Sequence, residues 1–474
     1  MTLLVLKDLR HHASTWVFSL LVAVTGGTFI SVTMSSWYSA HHWAQGQANV
    51  QELELASSII GSNLVGYSGL ATAVVLASTL ALTVTAQRRS HALWKVVGIP
   101  AARIRRIVTV QVALVGLIGG ALGTALSPVA TGWYLRSWQE FDLFPADMPV
   151  LLPWWAPLLT LTLTTVFCVL GGLGAARRAA STSEMQALRE AAAPQARTHV
   201  WQWVAAGVLI LATVMLPVLH LMDEKALVAG DFDAVSAAEQ AEELAALQEI
   251  MTPAGRATTG GAMGLTLALA ALCIPAWTLR PLLVAWTGLV RTRSTAWFAA
   301  RANAVHRSSL SLTTITPFAI AVGMTGAVYA TVGAGRALGS TGGVNGFLAV
   351  AVPIFIVTGV GGVANIAMVG GARRREGALL GVLGASRVTV LRSTVLEGTI
   401  YAVTGILFGL AVCLFSATAS AVFSGGGLTV LVHALPLSTL LPVVAACLVL
   451  SVATTWIPSA LDRKPAFERL RVPV

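Results

Sequence analysis

The sequence predicts an all-α polytopic membrane protein of about ten transmembrane helices, arranged 4+2+4 around a parallel internal repeat. Composition, the length of the apolar runs and the sorting of charge between alternate loops predict it. Apolar residue types make up 56% of the 474 residues, charged types only 11%, and the mean hydropathy is +0.77. A soluble domain carries about 25% charged residues, so this chain cannot cover a water-facing surface. A soluble enzyme, a disordered protein and a secreted disulfide scaffold are excluded. The apolar runs are long and do not alternate residue by residue, so a membrane β-barrel does not fit either.

A bilayer span takes roughly 20 apolar residues. Runs of that kind fall at 15–38, 58–86, 107–135, 153–174, 201–221, 260–279, 310–331, 347–372, 393–423 and 437–457. The first is too long for a signal-peptide core and lacks a small-residue cleavage site, so it reads as a retained span. Residues 281–290 are apolar but too short to cross; they extend the sixth helix or lie at the interface. Alternate loops hold 26 of the 30 Lys and Arg, and the opposite side has only Arg136, Lys225, Arg256 and Arg336. This asymmetry places both termini in the cytoplasm. Thirteen of the 20 acidic residues lie outside, so the net charge of +10 reflects cytoplasmic loops beside anionic lipid, not nucleic acid. Trp37, Trp43, Trp133, Trp138, Trp154, Trp155, Trp201, Trp203, Trp277 and Trp456 fall near the expected membrane edges, where an indole is stable. Few lysines against many arginines, with abundant alanine, suggest a GC-rich bacterial source and hence the bacterial cytoplasmic membrane.

Residues for site chemistry are sparse. Cys168, Cys273, Cys413 and Cys447 all sit in apolar runs without C-x-x-C spacing, so no disulfide framework or zinc site is expected. The histidines form no H-E-x-x-H pattern and no metal is assigned. A phosphate-wrapping loop needs a Gly-rich turn followed by Gly-Lys-Ser/Thr. The lysines are Lys7, Lys95, Lys225 and Lys464, none in that context. The chain is therefore expected to hold no cofactor and no catalytic residue, and any ATP energy comes from another polypeptide.

The chain also repeats itself. Ala86-Gln-Arg-Arg-Ser-His-Ala-Leu-Trp-Lys-Val-Val-Gly98 aligns without a gap on Ala372-Arg-Arg-Arg-Glu-Gly-Ala-Leu-Leu-Gly-Val-Leu-Gly384, an offset of 286 residues. At that offset Arg88 matches Arg374, Arg106 matches Arg392, Gln111 matches Glu397, Gly119 matches Gly405 and Gly123 matches Gly409. Both copies read as span, basic loop, short helix ending in Gly, then a Gly-rich span. Both begin on the cytoplasmic side, so the repeat is parallel, as in transporters whose halves are related by an axis along the membrane normal. The expected division is 1–190 as a first four-span module, 191–294 as a two-span insert with an external acidic helix near 234–250, and 295–474 as a second four-span module. Amphipathic lead-ins at 3–12 and 297–307 and Leu-Arg exits at 184–189 and 466–471 give weaker support at the module edges.

The run Arg-Arg-x-x-Ala-Leu-x-x-x-x-Gly, followed by basic residues, Gln or Glu, and Gly-x-x-x-Gly, resembles the FtsX-like permease family. These are membrane subunits of ABC transporters of the macrolide-exporter and lipoprotein-release kind, and the 4+2+4 layout is similar to the bacitracin-export permeases. The resemblance covers about 86–135 and 372–423. It implies that each short helix is a coupling helix seated in a cleft of a cytoplasmic ABC ATPase, two ATPase copies per chain, with ATP and Mg in that partner. In the first copy the docking knob would be Trp94, Val97, Gly98, Ile99 and Pro100, with Arg103 at its rim. In the second it would be Leu380, Leu383, Gly384, Ala385 and Ser386, with Arg387 nearby. Because Pro100 faces Ser386 and Ala101 faces Arg387, docking need not be symmetric. The alternative is a basic loop that only sets topology.

Gly119, Gly123, Gly405 and Gly409 allow close helix approach and are expected at the interface between modules. Glu397 is a carboxylate near the membrane whose counterpart is the neutral Gln111; an interfacial pair with Arg392 and a proton or substrate role are both open. The external segment 223–256 reads as a solvated cap or as an acidic gate for cationic peptides. The leading function is export or extrusion of an amphipathic drug, peptide or lipid. A mechanical transmitter acting on an extracytoplasmic enzyme or sensor kinase, and an ATPase-independent secondary transporter, are the alternatives. The external loops are short, which favours a membrane-dissolved substrate over a folded external domain.

Overall fold

A backbone surrounded by lipid must satisfy its own N–H and C=O groups, and a chain this apolar does so as helices. The structure, a computed structural model, describes residues 8–9, 12–46, 50–140, 145–181, 200–229, 252–339, 344–435 and 437–461. The described residues form helices and no strand. The first half contains α1 (Ala13–Ala44), α2 (Val50–Ala86), α3 (Arg88–Val96), α4 (Ala101–Gln139) and α5 (Ala156–Ser181). The middle contains α6 (Val200–Ala229), α7 (Pro253–Cys273) and α8 (Pro275–Leu289). The second half contains α9 (Thr295–His306), α10 (Ser308–Ala337), α11 (Val344–Val382), α12 (Arg387–Phe423), α13 (Gly427–Ala434) and α14 (Leu437–Leu461). The expected external acidic helix, both Leu-Arg exits and most of the first lead-in lie outside the described residues.

Among the described residues eight helices are long and apolar enough to span a membrane, and the α7–α8 pair makes a ninth. The remaining expected span coincides with α6, whose described apolar stretch runs from Gln202 to Val218. The sixth span differs from expectation. Its helix stops at Cys273, and after Ile274 the chain turns by 89° into α8. Trp277 and Leu279 therefore belong to a helix lying across the bundle. Pro275, at the first helical position of α8, starts the new helix and cannot continue the old one.

The expected basic loops are also not loops. In the first half Gln87 alone separates α2 from α3 (φ −93°, ψ 10°). In the second half α11 runs unbroken through Arg373, Arg374 and Arg375 to Val382.

The repeat glycines pack inside each half, which corrects the expectation that they join the halves. A Cβ on Gly123 would lie 2.7 Å from Thr28 N on α1, and one on Gly119 would strike Ala23. In the second half a Cβ on Gly405 or Gly409 would lie 2.6 Å from Phe318 or Val322 of α10. The sequence shows that the positions are equivalent; only the fold shows that each seats α4 on α1 and α12 on α10.

The halves meet along α2 and α11, the equivalent second helices. A side chain on Gly361 would strike Val75, so the backbones approach closely there. One turn after Gly361, Asn365 Nδ2 donates to Ser78 Oγ at 3.2 Å and to the Thr313 carbonyl at 2.9 Å. Asn365 is fully buried, and its repeat equivalent is the fully buried Thr79. Ile354, Val357 and Ala364 of α11 share one buried cluster with Leu76 and Leu80 of α2, so the apolar core is continuous across the seam.

Candidate functional site

Each knob follows a helix that ends in a glycine cap, the short polar α3 in the first half and the long α11 in the second. In the first, α3 stops at a left-handed Gly98 (φ +93°), where Gly98 N–H bonds Lys95 O at 2.8 Å and Ile99 N–H bonds Trp94 O at 2.9 Å. In the second, Gly384 (φ +92°) donates to Gly381 O at 3.1 Å and Ala385 N–H to Leu380 O at 2.9 Å. Both are Schellman caps, which need a residue that tolerates positive φ. The chain then starts the next helix from an extended residue, Pro100 (φ −67°, ψ 147°) or Ser386 (φ −66°, ψ 151°). Ser386 Oγ accepts the Thr389 N–H, a cap that proline cannot make. The backbone is thus nearly identical in the two copies despite the Pro–Ser difference.

Exposure repeats as closely as backbone. Val97 and Leu383 are each 83% exposed. Leu93 and Val96 on one helix, and Leu379 and Val382 on the other, are exposed beside them. These four were missed in the sequence, although apolar residues at i, i+3 and i+4 near the end of a polar helix carry the signal. Of the residues expected in the knobs, Val97, Gly98, Pro100, Arg103, Leu383, Gly384, Ser386 and Arg387 are exposed. Trp94, Ile99, Leu380 and Ala385 are half-buried, and Trp94 and Ile99 pack against the core. They are the foot of each knob, not its tip.

Polar contacts brace that foot. His12 and Arg307 cap the starts of α1 and α10, and each bonds by its backbone N–H to the residue four before it, Asp8 O at 3.0 Å and Asn303 O at 3.1 Å. In the first half the Asp8 carboxylate accepts from Gln111 Nε2 at 2.7 Å and pairs with His12 Nδ1 at 3.2 Å. Burial alone would raise the Asp8 carboxyl, but hydrogen bonds from His12 and Gln111 outweigh it and hold it below its ordinary value. The hydrogen bond to Asp8 raises His12. His91 on α3 is buried, neither ring nitrogen has a hydrogen-bond partner among the described residues, and burial pushes it down to about 4. Its ring meets the Trp94 indole edge-on at 5.3 Å. In the second half Arg307 forms an ion pair with Glu376 on α11, and Asn303 Nδ2 lies 3.4 Å from the other carboxylate oxygen.

The two intramembrane polar residues diverge. Gln111 is fully buried against Asp8. Glu397 is buried and accepts the Tyr401 hydroxyl at 2.7 Å, and Ser311 Oγ lies 3.2 Å from that hydroxyl. Arg392, expected beside it, is exposed. Glu397 thus helps to join α12 to α10.

The sequence pattern of the FtsX-like permease C-terminal domain matches the chain twice, at residues 64–183 and 348–464. Each match contains one glycine-capped knob, and together they cover half the chain. The chain belongs to the FtsX-like permease family. No curated protein matches it in sequence. As an FtsX-like permease it is a membrane subunit of an ABC transporter and not itself an enzyme, and such permeases generally work with ABC ATPase subunits.

Proposed function

We propose that this permease couples two separate cytoplasmic ABC ATPase subunits to export or extrusion of an amphipathic substrate, such as a drug, an antimicrobial peptide or a lipid. The duplicated knob carries the reading. Two apolar tips on matched Schellman caps project from one membrane face, because α2 and α11 occupy the same place in their halves. An apolar side chain left 83% exposed at a helix end gains by entering a cleft. In this reading Leu93, Val96, Val97 and their counterparts Leu379, Val382 and Leu383 fill the ATPase clefts, ATP and Mg are held by the ATPases, and both termini face the cytoplasm. The chain divides as 1–190, 191–294 and 295–474, with the seam between the outer two as the moving joint.

Purification of the tagged permease from its native membrane, followed by native mass spectrometry, tests this. Two ATPase copies per chain are expected, and Val97→Asp with Leu383→Asp should strip them off while leaving the fold intact. A permease that never carries a nucleotide-hydrolysing partner would overturn the reading in favour of a secondary transporter.

A second reading is favoured by the seam, which is closed by Gly361 on Val75 and by Asn365 on Ser78. A permease that stays closed while its halves rock would act as a transmitter to an extracytoplasmic enzyme or sensor kinase. ATPase stimulation by lipophilic or peptide ligands supports export; stimulation only by a partner protein supports transmission.

A further inference from the structure

The insert ends in a feature that the repeat does not duplicate. After its 89° turn, α8 lies across the bundle and buries Leu279, Leu283 and Thr287, one per turn, against the second half. Its other side is exposed and mostly apolar: Trp277 is 64% exposed, Leu289 81%, and Pro281 and Val284 lie between them. α10 and α11 cross in succession, so α8, which precedes them, sits on the same membrane face as the knobs.

The helix is held firmly. At its start Trp277 meets Trp203 of α6 edge-on at 5.7 Å, and near its end Trp286 meets Trp297 of α9 at 6.1 Å. Trp286 Nε1 donates to Thr404 Oγ1 on α12 at 2.9 Å, and Arg301 Nε donates to Thr287 Oγ1 at 3.3 Å.

The charge around it is one-sided. No Asp or Glu occurs anywhere from residue 250 to residue 375. Arg280 on α8 and Arg291 and Arg293 just after it are exposed, and no carboxylate pairs with them among the described residues. An in-plane helix with an apolar outer stripe and unpaired arginines has the character of a surface that sits at the headgroup level.

We propose that α8 and the Arg291–Arg293 turn form a binding shelf for anionic phospholipids. The phosphate groups are held by Arg280, Arg291 and Arg293, and the acyl chains lie along Trp277, Val284 and Leu289. Charge complementarity identifies the occupant: the surface offers cations and apolar area together, and a lipid with a net negative headgroup satisfies both. The shelf belongs to the insert alone, so lipid composition acts on one side of the molecule. This inference does not depend on which cargo is moved or on the ATPase.

The full-length permease in vesicles of phosphatidylcholine, doped with spin-labelled phosphatidylglycerol or spin-labelled phosphatidylcholine, tests it by the share of label immobilised at the protein surface. The wild type should prefer phosphatidylglycerol. Arg280→Gln with Arg291→Gln and Arg293→Gln should lower that preference by about fivefold or more, the attraction of roughly one surface arginine. All three side chains are exposed, so the thermal midpoint should not move. Arg105→Gln with Arg106→Gln, on the exposed start of α4, is the control and should leave most of the preference in place. An unchanged preference in the triple variant, or an equal loss in the control, would overturn the proposal. So would a wild type indifferent to headgroup charge whose triple variant instead loses a bound protein, which would give the surface to an acidic partner.

Discussion

Arg307 and Glu376 form an ion pair at the foot of the second knob, joining the cap of α10 to the helix that carries Leu383. Both side chains are half-buried, at 31% and 23% exposure. A pair in that setting lies between the exposed pairs worth under about 1 kcal/mol and the buried ones that cost about 3–5 kcal/mol to break. Glu376→Gln should lower the thermal midpoint modestly, and Arg307→Glu with Glu376→Arg should recover part of the loss. A double variant no better than either single one would show that Arg307 and Glu376 stabilise independently. If the pair carries motion, Glu376→Gln should also retain ATPase docking while weakening the response of ATP hydrolysis to substrate.

Two glycines on one helix should respond in opposite ways. A Cβ at Gly123 would lie 2.7 Å from the backbone N of Thr28 and 2.8 Å from the Gly27 carbonyl carbon, so Gly123→Ala must part α4 from α1. Overpacking of that kind costs about 1–3 kcal/mol. No described residue lies within 4 Å of a Cβ at Gly132, so Gly132→Ala should be neutral or stabilising by up to about 1 kcal/mol. Paired melting curves in one detergent decide this, and equal destabilisation would contradict the α1–α4 packing.

At Gly98 and Gly384 the constraint is conformational, not steric. No described residue lies within 4 Å of a Cβ there, yet both residues have φ above +90°. Alanine in either place costs about 1–2 kcal/mol by loosening the cap. The expected outcome is weaker ATPase retention with the transmembrane core intact, read by pull-down alongside the thermal midpoint.

His91 gives the permease a pH signature on its acid side. Folded, it takes up a proton only near 4, whereas an unfolded histidine does so near 6.5. Between those values the unfolded chain binds more protons, so stability falls as pH is lowered. Among the described residues the charged groups that act on it are Asp8, His12 and Lys95. His91→Phe loses no hydrogen bond to any described residue, and should flatten the decline between about pH 6.5 and 4. His12 behaves oppositely: its raised value adds stability that is present below 6.5 and lost as pH rises through the folded value. An acid-side slope that persists in His91→Phe would assign it to another group.

Asn365 is buried near the middle of α11; its bond to Ser78 crosses the seam, and its bond to the Thr313 carbonyl ties α11 to α10 of the same half. Hydrogen bonds between helices in membranes average about 0.6 kcal/mol and reach about 1.7. Asn365→Ala should therefore lower the midpoint by the equivalent of roughly 1–2 kcal/mol. Ser78→Ala in the same background should add little, since the partner is already gone; a fully additive loss would refute the pairing.

Much of this was legible in the chain itself. Span positions follow from apolar runs that lipid requires, and Gly98 and Gly384 stood out because two gapless copies placed a helix-ending residue at the same point. What the repeat conveys is equivalence, not contact. It could not tell whether Gly119 and Gly405 face a helix of their own half or the other half, and they face their own. Nor could it pair Asn365 with Ser78, since a lone amide in an apolar run carries no address. The break at Ile274 was signalled by Pro275, but apolar residues on both sides masked it. Leu93, Val96 and Glu376 carry a weak signal for a similar reason: inside a basic stretch, a short apolar stripe and a single acid do not reveal what they touch.

The interruption at Gln87 has no counterpart in α11, and this makes the two knobs mechanically unlike. From Val344 to Val382 the second knob sits on one rod of 39 residues, about 58 Å at the helical rise. A sideways push at Leu383 must tilt that whole rod, and its far end swings the opposite way about the seam at Asn365, as on a seesaw. Across the molecule Val97 sits on a nine-residue crank, jointed at a buried Gln87 whose side chain reaches Thr15 of α1 at 3.5 Å. An equal push there can be spent in turning the joint. If the two knobs are driven by equal strokes, as proposed, the travel delivered to the far side should be unequal, with the half on the stiffer arm setting its size.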